Sequence, residues 1–205
     1  MAHLRLSAYI LAMCNAYNLR HRNEAILDIA RAMQVPYDDL PDFPPQHRIG
    51  IKDRGLILRP SRDGALAWSW ALWGLIPFGG RERPLPSNNA RSDNLGNWPW
   101  KGVQRKRCLV PASGFWEPEK PGRTPGQAPW SYYTMKDGRP FFIAGLWSDA
   151  PDMATGEITD SYTVVIVDAN AAIRVHDRMR QSWPPTRRAS AARTAAPRMA
   201  EPVPE

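Results

Sequence analysis

A chain of 205 residues that is 43% hydrophobic and carries nine Trp is long enough for one large domain, or one domain and a tail. Its net charge of +7 and pI near 9.8 favour polyanionic partners, nucleic acid before anionic membrane. Two cysteines and four scattered histidines exclude a disulfide framework and give no metal-ligand spacing, so a reducing, cytoplasmic setting without structural zinc or cofactor is expected.

Charge alone fits a merely basic soluble protein equally well. The aromatic content adds weight to nucleic acid, because bases stack on exposed rings. No stretch approaches the ~20 apolar residues needed to span a bilayer.

Residues 6–11 are apolar and follow Arg5, a weak signal-peptide pattern. Leu11-Ala12-Met13-Cys14 faintly resembles a lipoprotein cleavage site, but Met13 is not the small residue that such a site needs. A start codon assigned too far upstream of Met13 is the better reading of residues 1–13. Residues 23–33 form a helix, with Ile26, Ile29, Ala30 and Met33 on one face and Asn23 as N-cap. Residues 35–50, rich in Pro and Asp, are expected to be an irregular loop. Residues 56–59 are a short strand. Leu66, Trp68, Trp70 and Leu72 alternate with small residues, the signature of a half-buried strand.

Residues 79–86 are a Gly/Pro/Arg loop, and residues 93–101 hold a short helix or turn. A strand at 107–110 is expected to stop at Pro111. A Pro- and Gly-dense loop at 118–129 leads to three strands, 130–135, 140–147 and 162–168. Lys136-Asp137-Gly138-Arg139 between the first two is a hairpin turn. The fold class is therefore α+β: a strand-rich, curved, mixed or antiparallel sheet with a few peripheral helices. Past Arg180, residues 184–205 hold almost no large apolar side chain and cannot bury enough surface to order themselves. The expected division is a leader at 1–13, a domain at 14–180 and a disordered Ala/Arg/Pro-rich tail at 181–205.

If Met13 is the start, the small residue behind it favours Met removal, and the mature chain begins with Cys14. An N-terminal cysteine carries an amine of pKa near ~8 and a thiol near ~8.5 on adjacent carbons. Together they capture an aldehyde: the amine forms a Schiff base and the thiol closes a thiazolidine ring. No internal cysteine can do this. Read alone, Cys14 is an ordinary core cysteine, since free Cys is among the most buried residue types.

Three further segments change that reading. They are Asn89-Ala90-Arg91, then Arg107-Cys108-Leu109-Val110-Pro111-Ala112-Ser113-Gly114-Phe115-Trp116-Glu117, and His176-Asp177-Arg178-Met179. With Met13-Cys14-Asn15 they resemble, in order and approximate spacing, the signature of the SOS response-associated peptidase (SRAP) family. The resemblance runs from Met13 to Met179, and its long second segment is the specific one. It implies an enzyme of the DNA-damage response that acts, as a monomer, on abasic sites in single-stranded DNA.

Cys14 would be the nucleophile by this resemblance. Glu117, after an apolar run and beside Phe115, Trp116 and Pro118, would be desolvated and suited to acid/base work. His176 would assist ring opening and Asn89 would orient the aldehyde oxygen or the Cys amine. Arg91 and Arg178 would grip phosphates with their bidentate forks. Trp73-Gly74-Leu75-Ile76-Pro77 also resembles a family segment, beyond which some members place a base-stacking wedge. Trp73 and Phe78 are the DNA-facing aromatics that it suggests.

Two departures stand out. The common Cys-Gly-Arg start is replaced by Cys14-Asn15-Ala16, which removes a basic residue beside the nucleophile. Arg180 replaces the Pro that normally follows His-Asp-Arg-Met, and the strand and helix usually found beyond it are not recognisable. Two rivals remain: a thiol peptidase or N-terminal-nucleophile hydrolase, in which Cys14 attacks a carbonyl, and a non-enzymatic single-strand-binding module.

Overall fold

The structure, a computed structural model, describes residues 16–21, 23–32, 40–76, 87–118, 130–151, 156–168, 178–180 and 182–183. Alternation of apolar and small residues makes Leu66–Trp73 a strand (β4) that pairs along its whole length with Arg54–Pro60 (β3). Beyond β3 lie Arg107–Ala112 (β6) and Phe141–Ser148 (β9), both antiparallel to their neighbours. Ser161–Asp168 (β10) pairs with β4 in parallel and with β9 in antiparallel sense. That double pairing closes β10, β4, β3, β6 and β9 into a ring, which leaves none of these five as an open edge at its paired end.

Three short strands extend the ring. Asn89–Arg91 (β5) runs parallel to the second half of β10. Arg178–Arg180 (β11) pairs with β10 on its last residues, and Ser182–Trp183 (β12) pairs with β9. A second, four-stranded sheet packs beside the ring. It consists of Ala16–Leu19 (β1), Gln46–Gly50 (β2), Gly114–Pro118 (β7) and Trp130–Thr134 (β8), in the order β2-β1-β7-β8. Among the described residues there are two short 3-10 turns, at Ser92–Asn94 and Trp100–Gly102, and one α-helix, Asn23–Ala32 (α1), which turns Ile26, Ile29 and Ala30 inward. Glu24 in its first turn and Arg31 in its last suit the helix dipole.

One large core joins the two sheets, built on Tyr17, Trp73, Phe115, Tyr133, Phe141, Phe142 and Tyr162, and a smaller cluster gathers Leu75, Ala90, Trp100, Val103, Leu146 and Val165. The fold is α+β with a mixed, curved sheet, as the alternation indicated. Several boundaries differ. Residues 46–50 form β2 rather than loop, because only Ile49 enters the core while His47 and Arg48 are exposed. One buried residue is too short a signal for periodicity. Strand β6 continues through Pro111 to Ala112. Its pairing with β3 is at Leu58↔Leu109, so Pro111 needs to offer no ladder donor on that side. Ser182–Trp183 extends the sheet past Arg180, where the tail was expected to begin. Residues 1–15 and 184–205 lie outside the described residues.

Candidate active site

Glu117 is placed by β7, between β1 and β8. Its neighbours in register are Ser131 across β8 and, one residue earlier, the pair Ala16↔Trp116 with β1. Strand alternation sends Phe115 and Glu117 to the inner face and Trp116 to the outer one, and Glu117 is only 2% exposed. A carboxylate buried to that degree is costly unless it is held by polar partners. Ser131, opposite Glu117, is itself buried and polar. Ala16, the first described residue of β1, lies one register position from Glu117. Cys14 itself lies outside the described residues, as do His176 and Phe78.

Asn89 opens β5 opposite Val164 of β10 and is half-buried. Its neighbour Asn88 fixes the strand: its carbonyl accepts from Trp73 Nε1 at 2.9 Å and from the Val164 amide at 3.1 Å. Two residues on, Arg91 pairs with Ile166 in register and is exposed. Its guanidinium forks onto Asp93, Nε to Oδ1 at 3.0 Å and Nη2 to Oδ2 at 2.6 Å. On the other side of β10, Arg180 pairs with the same Ile166, and Arg178 with Asp168. With strands about 4.8 Å apart, the backbones of Arg91 and Arg180 flank β10 at about 10 Å. The C-terminal half of β10 is thus edged by arginine-bearing strands on both sides.

Trp73 needs correcting as a DNA-facing ring. It is fully buried, packs edge-on against Tyr17 at 5.3 Å and stacks on Tyr162 at 6.4 Å. Its indole spends its only donor on Asn88. Period-2 alternation revealed the strand, but not which face would be capped by a second sheet. What Trp73 does is join the site's two halves. It touches Tyr17 of β1, Tyr162 of β10 and the Asn88 carbonyl beside Asn89.

Sequence reasoning missed the two tyrosines at this joint. Their hydroxyls meet at 2.6 Å, both fully buried. A Cβ at Gly55 would overlap both hydroxyls, so glycine at that point in β3 makes room for the contact. The one signal available was Tyr17, an aromatic three residues after Cys14 in a strand too short to read.

The second thiol behaves differently from any nucleophile. Cys108 is buried in the ring's core, and burial pushes its pKa well above the usual thiol range, opposed only in part by the charge of Arg59. It stays a protonated thiol at neutral pH and is inert. Among the described residues no group of three His, Cys, Asp or Glu side chains is placed to hold a metal ion. No helix among them is long and apolar enough to cross a membrane.

A closed strand ring with an arginine-edged strand, flanked by a four-stranded sheet that buries a glutamate, defines an α+β protein. The model of the SOS response associated peptidase (SRAP) family matches residues 13–190; the chain belongs to this family, which ties it to the response to DNA damage.

Solved structures agree on the fold. A protein from Bordetella bronchiseptica is similar at 26% identity and TM-score 0.63, over 84% of each chain. A phage-related protein from the same organism matches at 24% identity and TM-score 0.64, over 84% of this chain and 78% of that one. A protein from Bacteroides thetaiotaomicron matches at 23% identity and TM-score 0.65, over 83% and 77%. No curated protein matches the chain.

Proposed function

We propose that this protein shields abasic sites in single-stranded DNA by joining them covalently to an N-terminal Cys14. The observation that carries the reading is the register of β1 on β7. Ala16 lies opposite Trp116, one residue from the buried Glu117. Two residues span at most about 7 Å, which supports a Cys14 within reach of that carboxylate. Family membership supports the DNA-damage context.

In the proposed reaction the sugar opens to expose its C1 aldehyde. The Cys14 amine adds to C1, and loss of water leaves the Schiff base. The thiol sulfur then adds to the same carbon, its proton passing to the nitrogen, to give the thiazolidine. Glu117 moves the protons of ring opening and dehydration, and burial suits it to that work. His176 assists, Asn89 orients the aldehyde oxygen or the amine, and Arg91 and Arg178 bind flanking phosphates. Removal of residues 1–13 by the same constellation would account for the peptidase label that the family carries.

The test is intact mass followed by a denaturing gel. A chain that begins at Cys14 should form an adduct with an abasic oligonucleotide, and Cys14→Ala should form none while keeping its affinity for single strands. If a chain that retains residues 1–13 uncleaved crosslinks equally well, the thiazolidine chemistry is wrong. An adduct absent from every form, with binding intact, would leave a non-enzymatic single-strand-binding module.

A further inference from the structure

We propose that the outer face of the four-stranded sheet is a stacking platform for bases of single-stranded DNA that run on from the abasic nucleotide. The identity of the strand rests on the crosslinking reading above; the platform itself rests on the geometry of β1, β2, β7 and β8. Inward-facing Phe115, Glu117, Ser131 and Tyr133 are buried. The residues that alternate with them, Trp116, Tyr132 and Trp130, therefore face outward. Trp116 and Tyr132 are directly opposite in register, with ring centroids 4.8 Å apart. Trp130 follows opposite Pro118 and is 44% exposed.

The rings are laid out rather than merely left outside. Gly114 of β7 has no side chain, and a Cβ there would overlap the Tyr132 ring. Tyr132 consequently lies across β7 and donates its hydroxyl to Asn18 Oδ1 of β1 at 3.2 Å. The fully buried Asn18 amide still has a donor, Nδ2, without an acceptor. Arg20 holds its guanidinium 5.9 Å from the Tyr132 ring centroid, a cation over the aromatic surface.

Charge decides the class of occupant. Arg48, next to the inward Ile49, is exposed on the outer side of β2. The four strands contain a single carboxylate, Glu117, and it is buried on the inner face. The outer face thus offers rings and cations with no opposing acid from its own strands, which suits a polyanion with flat bases better than a protein partner. Trp116 and Tyr132 share a row with Ala16, two residues from Cys14 in sequence, so the platform starts at the strand that follows the proposed nucleophile.

The experiment uses the full chain and undamaged oligonucleotides of about 4 and about 16 nucleotides, the range of single-strand sites, with 2-aminopurine as a stacking reporter. Trp130→Ala, an exposed substitution that the fold tolerates, should weaken the long oligonucleotide about 5-fold or more and leave the short one unchanged. Arg20→Gln with Arg48→Gln should flatten the salt dependence for the long one by roughly 0.7 log units per lost contact. Quenching of 2-aminopurine in the long oligonucleotide should fall in Trp130→Ala.

Unchanged long-strand affinity, slope and quenching in these variants would overturn the platform. So would a shift in self-association alone, which would make the face a protein interface. Ring-dependent binding of the long strand without any adduct from abasic DNA would keep the platform and remove the crosslinking reading. An adduct with ring-independent binding would do the reverse.

Discussion

The closed ring and the four-stranded sheet place their polar groups differently. Around the ring several of them satisfy one another: Tyr162 meets Tyr17 of the other sheet, Trp73 donates to Asn88, and Arg59 gives two N–H groups to one oxygen of Asp160, which also accepts from Ser69. The buried indole N–H groups of Trp68 and Trp147 are left without a hydrogen-bond partner. The one buried thiol of the ring is held protonated. In the four-stranded sheet a carboxylate is buried at the end of β7, beside the strand whose start leads to Cys14. The lesson is a division of labour: the ring holds and aligns, and the groups proposed to react collect where β1 starts and β7 ends. Each prediction below tests one side of that contrast.

The largest effect belongs to the four-stranded sheet. Glu117→Gln keeps the shape and removes the proton transfer, so crosslinking to abasic DNA should slow by roughly 10²–10⁴-fold. Affinity for intact single strands should hardly change. A denaturing-gel time course beside an equilibrium titration separates the two. Equal losses of rate and affinity would make Glu117 a structural residue, and full-rate crosslinking would assign ring opening to His176 or to the DNA itself.

On the ring side, Cys108 should govern stability rather than chemistry. Its folded-state pKa is raised above the ordinary value near 9.0. Below that value both folded and unfolded thiols are largely protonated, and the native state keeps its full stability. Above it the unfolded thiol ionises while the folded one does not, so stability falls by about 1.4 kcal/mol per pH unit. Cys108→Ala should remove that component of the alkaline slope, read by urea unfolding at several pH values, and should leave the rate of adduct formation unchanged at pH 7. The side chain is small and Gly145 packs against Sγ, so a cost of about 1 kcal/mol at neutral pH is expected for the substitution itself. An alkaline slope identical to that of the unsubstituted chain would mean that Cys108 is not sealed from solvent.

The same contrast explains what the sequence disclosed. Long strands are legible: β4 because large and small residues alternate along it, β9 and β10 because each is a run of residues buried along almost its whole described length. The short strands β1, β5 and β7 are not, since three to five residues carry no period, yet β5 and β7 bear motif residues and β1 begins directly after Met13-Cys14-Asn15. Chemistry was legible through motif order, which needs no knowledge of the sheets. Facing was not: Trp73 and Trp116 are equally aromatic in sequence. Only the second sheet, closing over one and leaving the other outside, sends Trp73 to the core and Trp116 to the surface. Tyr17 and Tyr162 are 145 positions apart, and nothing local announces that their hydroxyls meet.

The smallest expected effect sits at the rim of the ring, where Arg91 is engaged by Asp93. Both side chains are about half exposed, at 45% and 54%, and an exposed pair of this kind holds with only about 0–1 kcal/mol. A DNA phosphate can therefore take the guanidinium from Asp93, at a modest cost in affinity. Asp93→Asn removes the competitor, so single-strand binding should tighten by about 2- to 5-fold. Arg91→Ala should weaken binding and flatten the salt dependence by roughly 0.7 log units. Removing any acid near DNA strengthens binding to some extent, so the informative measurement is Asp93→Asn in the Arg91→Ala background. If Asp93 acts by occupying Arg91, its substitution gains little there, and the two changes are non-additive. Equal gains in both backgrounds would mean that Asp93 repels the strand on its own account, and that Arg91 lies off the path of the DNA.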